Sequence, residues 1–437
     1  MNDAQLSERW RRASLHYAAA VNAYVARGLS EGWSNIGPEP EDGRAQLAEA
    51  VLEAVRRANR VGHTATLREL FPPAWSPFLA TIEKKGRSLA PMAWIDNDRI
   101  AVHLGATYED GPIVVVRDGV VEQPRVLSFG RSPDGTLFAL AFEDEIEVRK
   151  GWDGPTVAVL PWPSGQEGIP PGYHVESAIE KSRIKQLAVF PDGERVLLAL
   201  RDGVFVVSRF GATRLLPRPE QYTRLFEWLR KTYPNDPLSA PLAMEHGAVS
   251  PQGDLVLAGC QDSKHLVFDK DLEQIAAVGP GSEYPHFAWF SADGKLAAFN
   301  ACHFYNGASI GVPVEELAGL DTDYYQSHPS IRMLEDGARV YAAVARDDEF
   351  IVGDAGGYLR AFDLLGNFRW QHFIGSTITA LDLSPDKRKL AVTSCAGFLC
   401  VLQLHTGERD PFAIGTATHR ELQRWLFWKG EDAPLMW

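Results

Sequence analysis

Three cysteines with neighbouring histidines are the residues of this chain whose types suit metal chemistry. Cys260, Cys302 and Cys395 each fall where a predicted β-strand should end, and His265 and His303 follow closely. Thiolates together with imidazoles bind zinc or a redox-active metal. If the strand ends converge, the candidate metal site consists of Cys260, His265, Cys302, His303 and Cys395.

Packing is the competing interpretation of these cysteines. The chain has no C-x-x-C or H-x-x-x-H spacing around them, and free cysteine is among the residue types most often buried. Small buried residues are also favoured where such strands end. The spacing therefore favours packing over a metal site, and no cofactor is predicted.

A serine-hydrolase pattern, G-x-S-x-G, occurs at residues 307–311, with Asp321, Asp323 and His328 further along the chain. A nucleophilic serine of this kind needs a strand-to-helix turn inside an α/β sheet. The chain after residue 311 shows repeats instead of an α/β pattern. We therefore interpret the match as fortuitous and predict no catalytic residues.

Two aromatic groups are candidate partner-binding residues. Tyr324 and Tyr325 lie in a predicted loop, and Trp425, Phe427 and Trp428 lie near the C-terminus. Aromatic clusters of this kind anchor protein partners when exposed. The alternative is that they pack against the rest of the chain, which is favoured for the C-terminal group.

A repeated strand–turn–strand pattern organises most of the chain. Its turn, typified by the Ser-Pro-Asp-Gly of residues 132–135, presets φ with proline, bonds the backbone with aspartate and accepts positive φ at glycine. Small and apolar residues on both sides suit strands buried on two faces. The seven copies occupy residues 93–102, 127–141, 186–200, 247–258, 287–298, 344–352 and 381–392.

One segment allows a family resemblance to be stated. Residues 357–370, GYLRAFDLLGNFRW, resemble the G-x-L-x-A-x-D…G-x-x-x-W pattern of quinoprotein-like blades, and residues 400–408 echo it. Over residues 88–414 the chain resembles the WD40 and quinoprotein-like β-propeller superfamily. The resemblance implies a fold and transfers no function.

The predicted fold is a mainly β, seven-bladed β-propeller with helical additions. We predict a helical N-terminal region over residues 1–87, the propeller over 88–414 and a C-terminal helix and tail over 415–437. A helical insertion is predicted at about 217–241, where apolar residues recur at helical spacing. The C-terminal helix is predicted from a capping box of Thr418 and Glu421.

Charge and hydropathy exclude several classes of partner. The formal net charge of −13 repels a phosphate backbone, so we predict no nucleic-acid partner. The chain has no apolar run of the roughly 18 residues that a membrane span needs, so we predict no membrane partner. Four cysteines in 437 residues do not form a disulfide framework, and a cytoplasmic location is expected.

Without a catalytic motif, the sequence predicts a non-catalytic scaffold or regulatory subunit that binds another protein through its loops. One alternative is an enzyme, or a small-ligand or metal binder, that uses the rim of the central channel, because active sites of propellers combine residues from several blades. A further alternative is a sensor that relays ligand binding through the terminal helices.

Overall fold

The computed structural model describes residues 2–117, 119–123, 125–175 and 179–437. These residues form a helical layer at the N-terminus followed by a series of antiparallel β-sheets. None of the helices in the described ranges is long and apolar enough to cross a membrane.

The N-terminal layer contains the helices α1 (Asp3–Glu31), α2 (Ala48–Arg60), α3 (Leu67–Leu70) and α4 (Leu79–Lys85). Helix α1 begins with a capping box in which Asn2 and Gln5 satisfy each other's backbone amides. Trp10 of α1 is fully buried, and its indole Nε1 donates to the carbonyl of Pro72 at 2.9 Å. This layer shares one hydrophobic core with the last two sheet units of the chain.

Within the described ranges, seven antiparallel units of consecutive strands follow, and we number them 1 to 7. Unit 1 contains β1 (Met92–Trp94), β2 (Ile100–His103), β3 (Ile113–Val116) and β4 (Val120–Glu122); unit 2 contains β5 (Ser128–Arg131), β6 (Leu137–Ala141), β7 (Glu145–Lys150) and β8 (Thr156–Pro161). Unit 3 contains β9 (Ile184–Val189), β10 (Arg195–Leu200), β11 (Gly203–Ser208) and β12 (Gly211–Leu216); unit 4 contains β13 (His246–Val249), β14 (Val256–Gly259), β15 (His265–Phe268) and β16 (Gln274–Val278); unit 5 contains β17 (Tyr284–Phe290), β18 (Leu296–His303), β19 (Asn306–Pro313) and β20 (Arg332–Asp336). Unit 6 contains β21 (Val340–Arg346), β22 (Glu349–Asp354), β23 (Tyr358–Asp363) and β24 (Phe368–Phe373); unit 7 contains β25 (Ile378–Leu383), β26 (Lys389–Ser394), β27 (Phe398–Gln403), β28 (Arg420–Leu426) and β29 (Leu435–Met436). Units 2 and 3 are joined into one eight-stranded sheet by a single parallel pairing, Arg131 with Ala188.

The predicted hairpin of the repeat is confirmed, and its serine has a structural role. Ser132 Oγ accepts from the amide of Leu137 at 3.0 Å, while Gly135 takes a φ of 74° that a side chain would strain. The amides of Leu255 and Leu296 donate in the same way to the Oγ of the serine five residues earlier, Ser250 and Ser291 respectively. Each turn thereby joins the first strand of its unit to the second.

The units are arranged as a ring. The first strands of units 2 to 7 contact one another in chain order, and β1 of unit 1 contacts β25 of unit 7. Units 1 and 2 share a hydrophobic cluster that includes Ala93 and Phe129. A ring of radially packed antiparallel sheets is the arrangement of a β-propeller.

One carboxylate joins three successive units where the ring closes. Asp382 of β25 accepts from the amide of Trp94 in β1 at 2.6 Å and forms an ion pair with Arg131 of β5. Trp94 Nε1 also donates to the backbone carbonyl of Asp382 at 3.1 Å. Every strand of unit 7 lies between residues 378 and 436, so closure relies on packing and these polar contacts.

A helix lies within the predicted insertion: α5 (Pro219–Thr232) connects β12 to β13. Its buried Tyr222 and Phe226 pack on Val175 in the loop that precedes unit 3. Part of that loop, residues 176–178, lies outside the described residues.

The predicted C-terminal helix is wrong. Residues 420–426 form β28, which pairs with β27 and extends unit 7 well beyond residue 414. The free edge of β27 offers a row of backbone groups that only another strand can satisfy, and this overrides helix propensity. Glu421, assigned to a capping box, instead pairs with Arg424 and Arg68.

Candidate functional site

One end of the ring carries the features that suggest function. At one end of the ring, the second strand of each unit turns into the third strand. We call this end the upper face. Because the strands alternate in direction, the connections between successive units lie at this end too. The turns that define it are residues 104–112, 142–144, 201–202, 260–264, 304–305, 355–357 and 395–397.

On the upper face, five exposed aromatic residues of unit 5 form what we call the aromatic patch: Tyr284, Phe304, Tyr305, Tyr324 and Tyr325. The side chains of Phe304 and Tyr305 are the most exposed, at 74% and 76%. Isolated exposed aromatics are ordinary, whereas a group of them at one end of a molecule is typical of an interaction surface.

The two-residue turn between β18 and β19 presents Phe304 and Tyr305. His303 pairs with Asn306 across it, so these two aromatics occupy its tip. Phe304 has a φ of 51°, the left-handed region that two-residue hairpin turns normally fill with glycine or asparagine. An aromatic residue there costs of order 1–3 kcal/mol relative to glycine.

A long loop brings Tyr324 and Tyr325 to the same face. It leaves β19 at the lower end and runs upward beside β16, where Ala277 bridges Asp321 in parallel. The amide of Tyr325 then donates to the carbonyl of Pro280 at 3.0 Å. Tyr324 Oη donates to the carbonyl of Ser263 at 3.0 Å.

Charged side chains hold the two parts of the patch. Lys264 Nζ lies 2.9 Å from Asp321 Oδ1, which fixes the rising loop to unit 4. Glu283, directly before Tyr284, contacts His303 Nδ1 at 2.7 Å. These two contacts therefore hold in place the backbone segments that carry the aromatic rings.

The first strands begin at the upper end of the central channel, and polar groups line this opening. Burial lowers the pKa of Lys185, and the nearby Glu245 carboxylate opposes that shift. Burial raises the pKa of Glu245, which lies directly before β13. His286 Nδ1 lies 2.8 Å from the carbonyl of Val340, so this ring nitrogen carries its proton as a donor.

The five candidate metal ligands are spread over three units: Cys260 and His265 in unit 4, Cys302 and His303 in unit 5, and Cys395 in unit 7. His265 Nδ1 lies 3.4 Å from the Nε2 of His246. Cys302 Sγ lies 4.0 Å from a methionine sulfur, Met244 Sδ. Within the described ranges, no three His, Cys, Asp or Glu residues are grouped so as to hold a metal ion.

The hydrolase pattern lies inside β19 rather than at an elbow. Ser309 is fully buried, and its Oγ accepts from Asn300 Nδ2 at 3.0 Å. A mid-strand serine with an amide partner lacks the base that nucleophilic attack requires.

The C-terminal aromatics pack inside the molecule, as the favoured interpretation predicted, and this removes them from the candidate partner-binding residues. Trp425, Phe427 and Trp428 are all buried. Trp425 and Phe427 belong to the cluster between units 7 and 1, and Trp428 Nε1 donates to the carbonyl of Ala396 at 2.8 Å.

Comparison with known proteins adds little to this description. No protein-family model matches the sequence, and no curated protein matches it. The β-propeller domain of Cps50 (Swd1) from Myceliophteria thermophila is 13% identical, with a TM-score of 0.42, covering 68% of this chain and 90% of that one. Hydrazine synthase from Kuenenia stuttgartiensis is 11% identical, with a TM-score of 0.42, covering 64% and 77%. Both superpose only loosely, so the fold assignment rests on the strand pairing of this chain.

Proposed function

We propose that the chain is a seven-bladed β-propeller that acts as a non-catalytic protein-interaction scaffold, with the aromatic patch as its partner-binding surface. The turn of Phe304 and Tyr305 carries the proposal. Both rings are exposed, and Phe304 holds its ring on a positive-φ backbone conformation that costs free energy and that a glycine would adopt without that cost. Such a cost is retained where the side chains have a use.

The composition of the patch suits a protein partner. Tyrosine and arginine are enriched among the residues that dominate binding energy at protein interfaces. The patch has four tyrosines, and Arg339 lies against Tyr341 beside it. The net charge of −13 supports a protein rather than a nucleic acid as the partner.

A cytoplasmic location is part of the proposal. All four cysteines are free thiols in the structure. Free thiols suit a reducing compartment, where structural disulfides are rare.

A double substitution tests the patch without removing the turn. Phe304→Gly with Tyr305→Asn deletes both rings and places glycine at the positive φ, a pairing that two-residue turns favour. The matched control is Phe210→Ala, because Phe210 is 86% exposed at the opposite end of unit 3, between β11 and β12.

The measurement is quantitative recovery of partners when the tagged full-length chain is isolated from its native cells. We expect the unmodified chain and Phe210→Ala to carry a stoichiometric partner, and the double variant to lose it at least tenfold. Equal recovery by all three proteins, or a chain that is solitary throughout, contradicts the proposal.

A second function, small-ligand binding at the channel opening, is favoured by Lys185, which is half-buried at the start of β9 and lies near the Glu245 carboxylate. A lysine with a lowered pKa is more nucleophilic near neutral pH. Acylation with a limiting amount of reagent at pH 7.5 should modify Lys185 ahead of the exposed Lys270. Slower modification of Lys185 than of Lys270 argues against this second function.

A further inference from the structure

A cleft lies between the N-terminal helical layer and units 6 and 7. Its volume is about 680 Å³, within the range of about 300–1,000 Å³ that small-molecule sites occupy. The helical wall includes Arg11 and Trp75, and the opposite wall includes Phe373, Phe412 and Arg424. It is separate from the aromatic patch, which unit 5 carries.

Buried hydrogen-bond donors without partners belong to residues that line this cleft. Neither Nη1 of Arg424 nor Nε1 of Trp75 has a hydrogen-bond partner in the structure, although both atoms are buried. Both groups are donors only. A buried donor without a partner costs about 1–3 kcal/mol, so such groups call for an acceptor.

His419 is a third donor of this kind, and its tautomer follows from its neighbour. Its Nδ1 accepts from the amide of His405 at 3.0 Å, so in the neutral ring the proton is on Nε2. Burial lowers the pKa of His419 to about 3, which keeps the ring neutral near pH 7. Nε2 is buried and has no hydrogen-bond partner in the structure.

The charged residues of the cleft also favour a ligand that accepts hydrogen bonds and carries negative charge. Six arginines line it: Arg11, Arg44, Arg68, Arg409, Arg420 and Arg424. Four carboxylates also line it, and one of them, Glu421, pairs with both Arg68 and Arg424. Asp42, just outside the lining, also pairs with Arg44 at 2.7 Å, so five carboxylates face six arginines. A small excess of positive charge therefore remains here, although the chain as a whole carries −13.

Two of these arginines keep their charge available to a ligand. Arg11 donates to the backbone carbonyl of Glu69, and Arg409 to that of Ala413 at 3.5 Å. A neutral carbonyl accepts a hydrogen bond without cancelling the charge. The Arg11 guanidinium also lies 5.2 Å from the centre of the Phe412 ring, so cationic and aromatic surfaces adjoin.

From this combination we infer that the cleft binds a small organic anion, an aryl carboxylate or aryl phosphate monoester, with its oxyanion on the unpartnered donors. The aromatic body of the ligand lies against Phe412 and Phe373. Both classes share an oxyanion with at least two acceptor oxygens, which arginine and indole donors match. The inference does not depend on the proposed scaffold function.

The test is calorimetric titration of the full-length protein with phenyl phosphate, phenylacetate, phenylacetamide and inorganic phosphate. We expect at least one aryl anion to bind, phenylacetamide at least tenfold more weakly, and inorganic phosphate more weakly than phenyl phosphate. A preference for phenyl phosphate over phenylacetate identifies the phosphate class, and the reverse identifies the carboxylate class. Equal binding of the neutral amide, or binding of none of the four, overturns the inference.

Two conservative variants locate the site. Trp75→Phe keeps the ring and removes its N–H, and Arg11→Gln removes a charge at the cleft wall; each should weaken the aryl anion about three- to tenfold. The control is Trp162→Phe at a position outside the cleft. It removes an indole N–H that donates to the backbone carbonyl of Phe142 at 3.0 Å. Unchanged affinity in Trp75→Phe and Arg11→Gln, with both folded by circular dichroism, overturns the assignment to this cleft.

Discussion

The guanidinium of Arg339 donates from Nη1 to the carbonyl of Phe304 at 3.0 Å, and this bond ties the aromatic turn of unit 5 to the start of unit 6. The amide of Arg339 also donates to the carbonyl of Tyr305 at 3.3 Å. The turn is therefore held from outside its own hairpin. A side chain that braces a costly backbone conformation explains how exposed rings keep a fixed position.

Removing this brace should loosen the turn. We expect Arg339→Ala to raise the rate of chymotrypsin cleavage after Phe304 and Tyr305 severalfold, because the protease needs a locally mobile backbone. The measurement is limited proteolysis with mass spectrometry of the fragments. An unchanged cleavage rate would show that the hairpin alone holds its tip.

Backbone conformation predicts opposite signs for two glycine substitutions. Phe304→Gly should raise the free energy of unfolding by about 1 kcal/mol, because it relieves the positive φ. Phe210→Gly should lower the free energy of unfolding by about 0.5–1 kcal/mol. Phe210 has no positive φ to relieve, so glycine there only increases the conformational entropy of the unfolded chain. Urea denaturation of both variants measures the difference. Destabilisation by Phe304→Gly would mean that its ring contributes packing that outweighs the strain.

Asp382 should be the most sensitive polar residue of the ring closure. Asp382→Ala leaves the charge of Arg131 and the amide of Trp94 without their partner, so we expect a loss of about 3–5 kcal/mol. The control is Asp153→Ala, which breaks an exposed pair with Arg99 and should cost under about 1 kcal/mol. Urea denaturation at pH 7 compares the two. Equal effects of the two substitutions would show that packing alone closes the ring.

Buried histidines should make the protein sensitive to mild acid. Burial lowers the pKa of His246 and His372 to about 4 and that of His419 to about 3. Unfolded imidazoles take up a proton near pH 6.5 whereas these do not, so stability is complete above pH 6.5 and falls as the pH drops towards 4. Each contributes about 1.4 kcal/mol per pH unit over that window.

One buried carboxyl opposes this trend. Burial raises the pKa of Asp382 to about 6, so the folded chain binds its proton more readily and gains stability as the pH falls from 6 to about 4. Because the pKa of His372 is lowered, His372→Asn should reduce the slope of the unfolding free energy against pH by about 1.4 kcal/mol per unit. The measurement is urea denaturation from pH 7 to 4.5. An identical slope in the variant would mean that His372 is protonated in the folded protein.

The repeat could be predicted because its information is local. Ser132, Asp134 and Gly135 specify their turn through bonds to atoms within a few residues, and the flanking apolar strands are visible in the sequence. The insertion helix was predictable for the same reason, since its apolar period lies within one segment. Short-range chemistry of this kind needs no knowledge of the rest of the fold.

The tertiary structure decided what depends on distant atoms. Residues 420–426 became a strand because β27 had an unpaired edge, which outweighs a local helical pattern. The patch joins Phe304 to Tyr325, and the cleft joins Arg11 to Phe412, by bringing remote segments together. The sequence by itself determined the repeating hairpins through local turn chemistry. The sites followed only from packing, because no local bond records which loops meet when the ring closes.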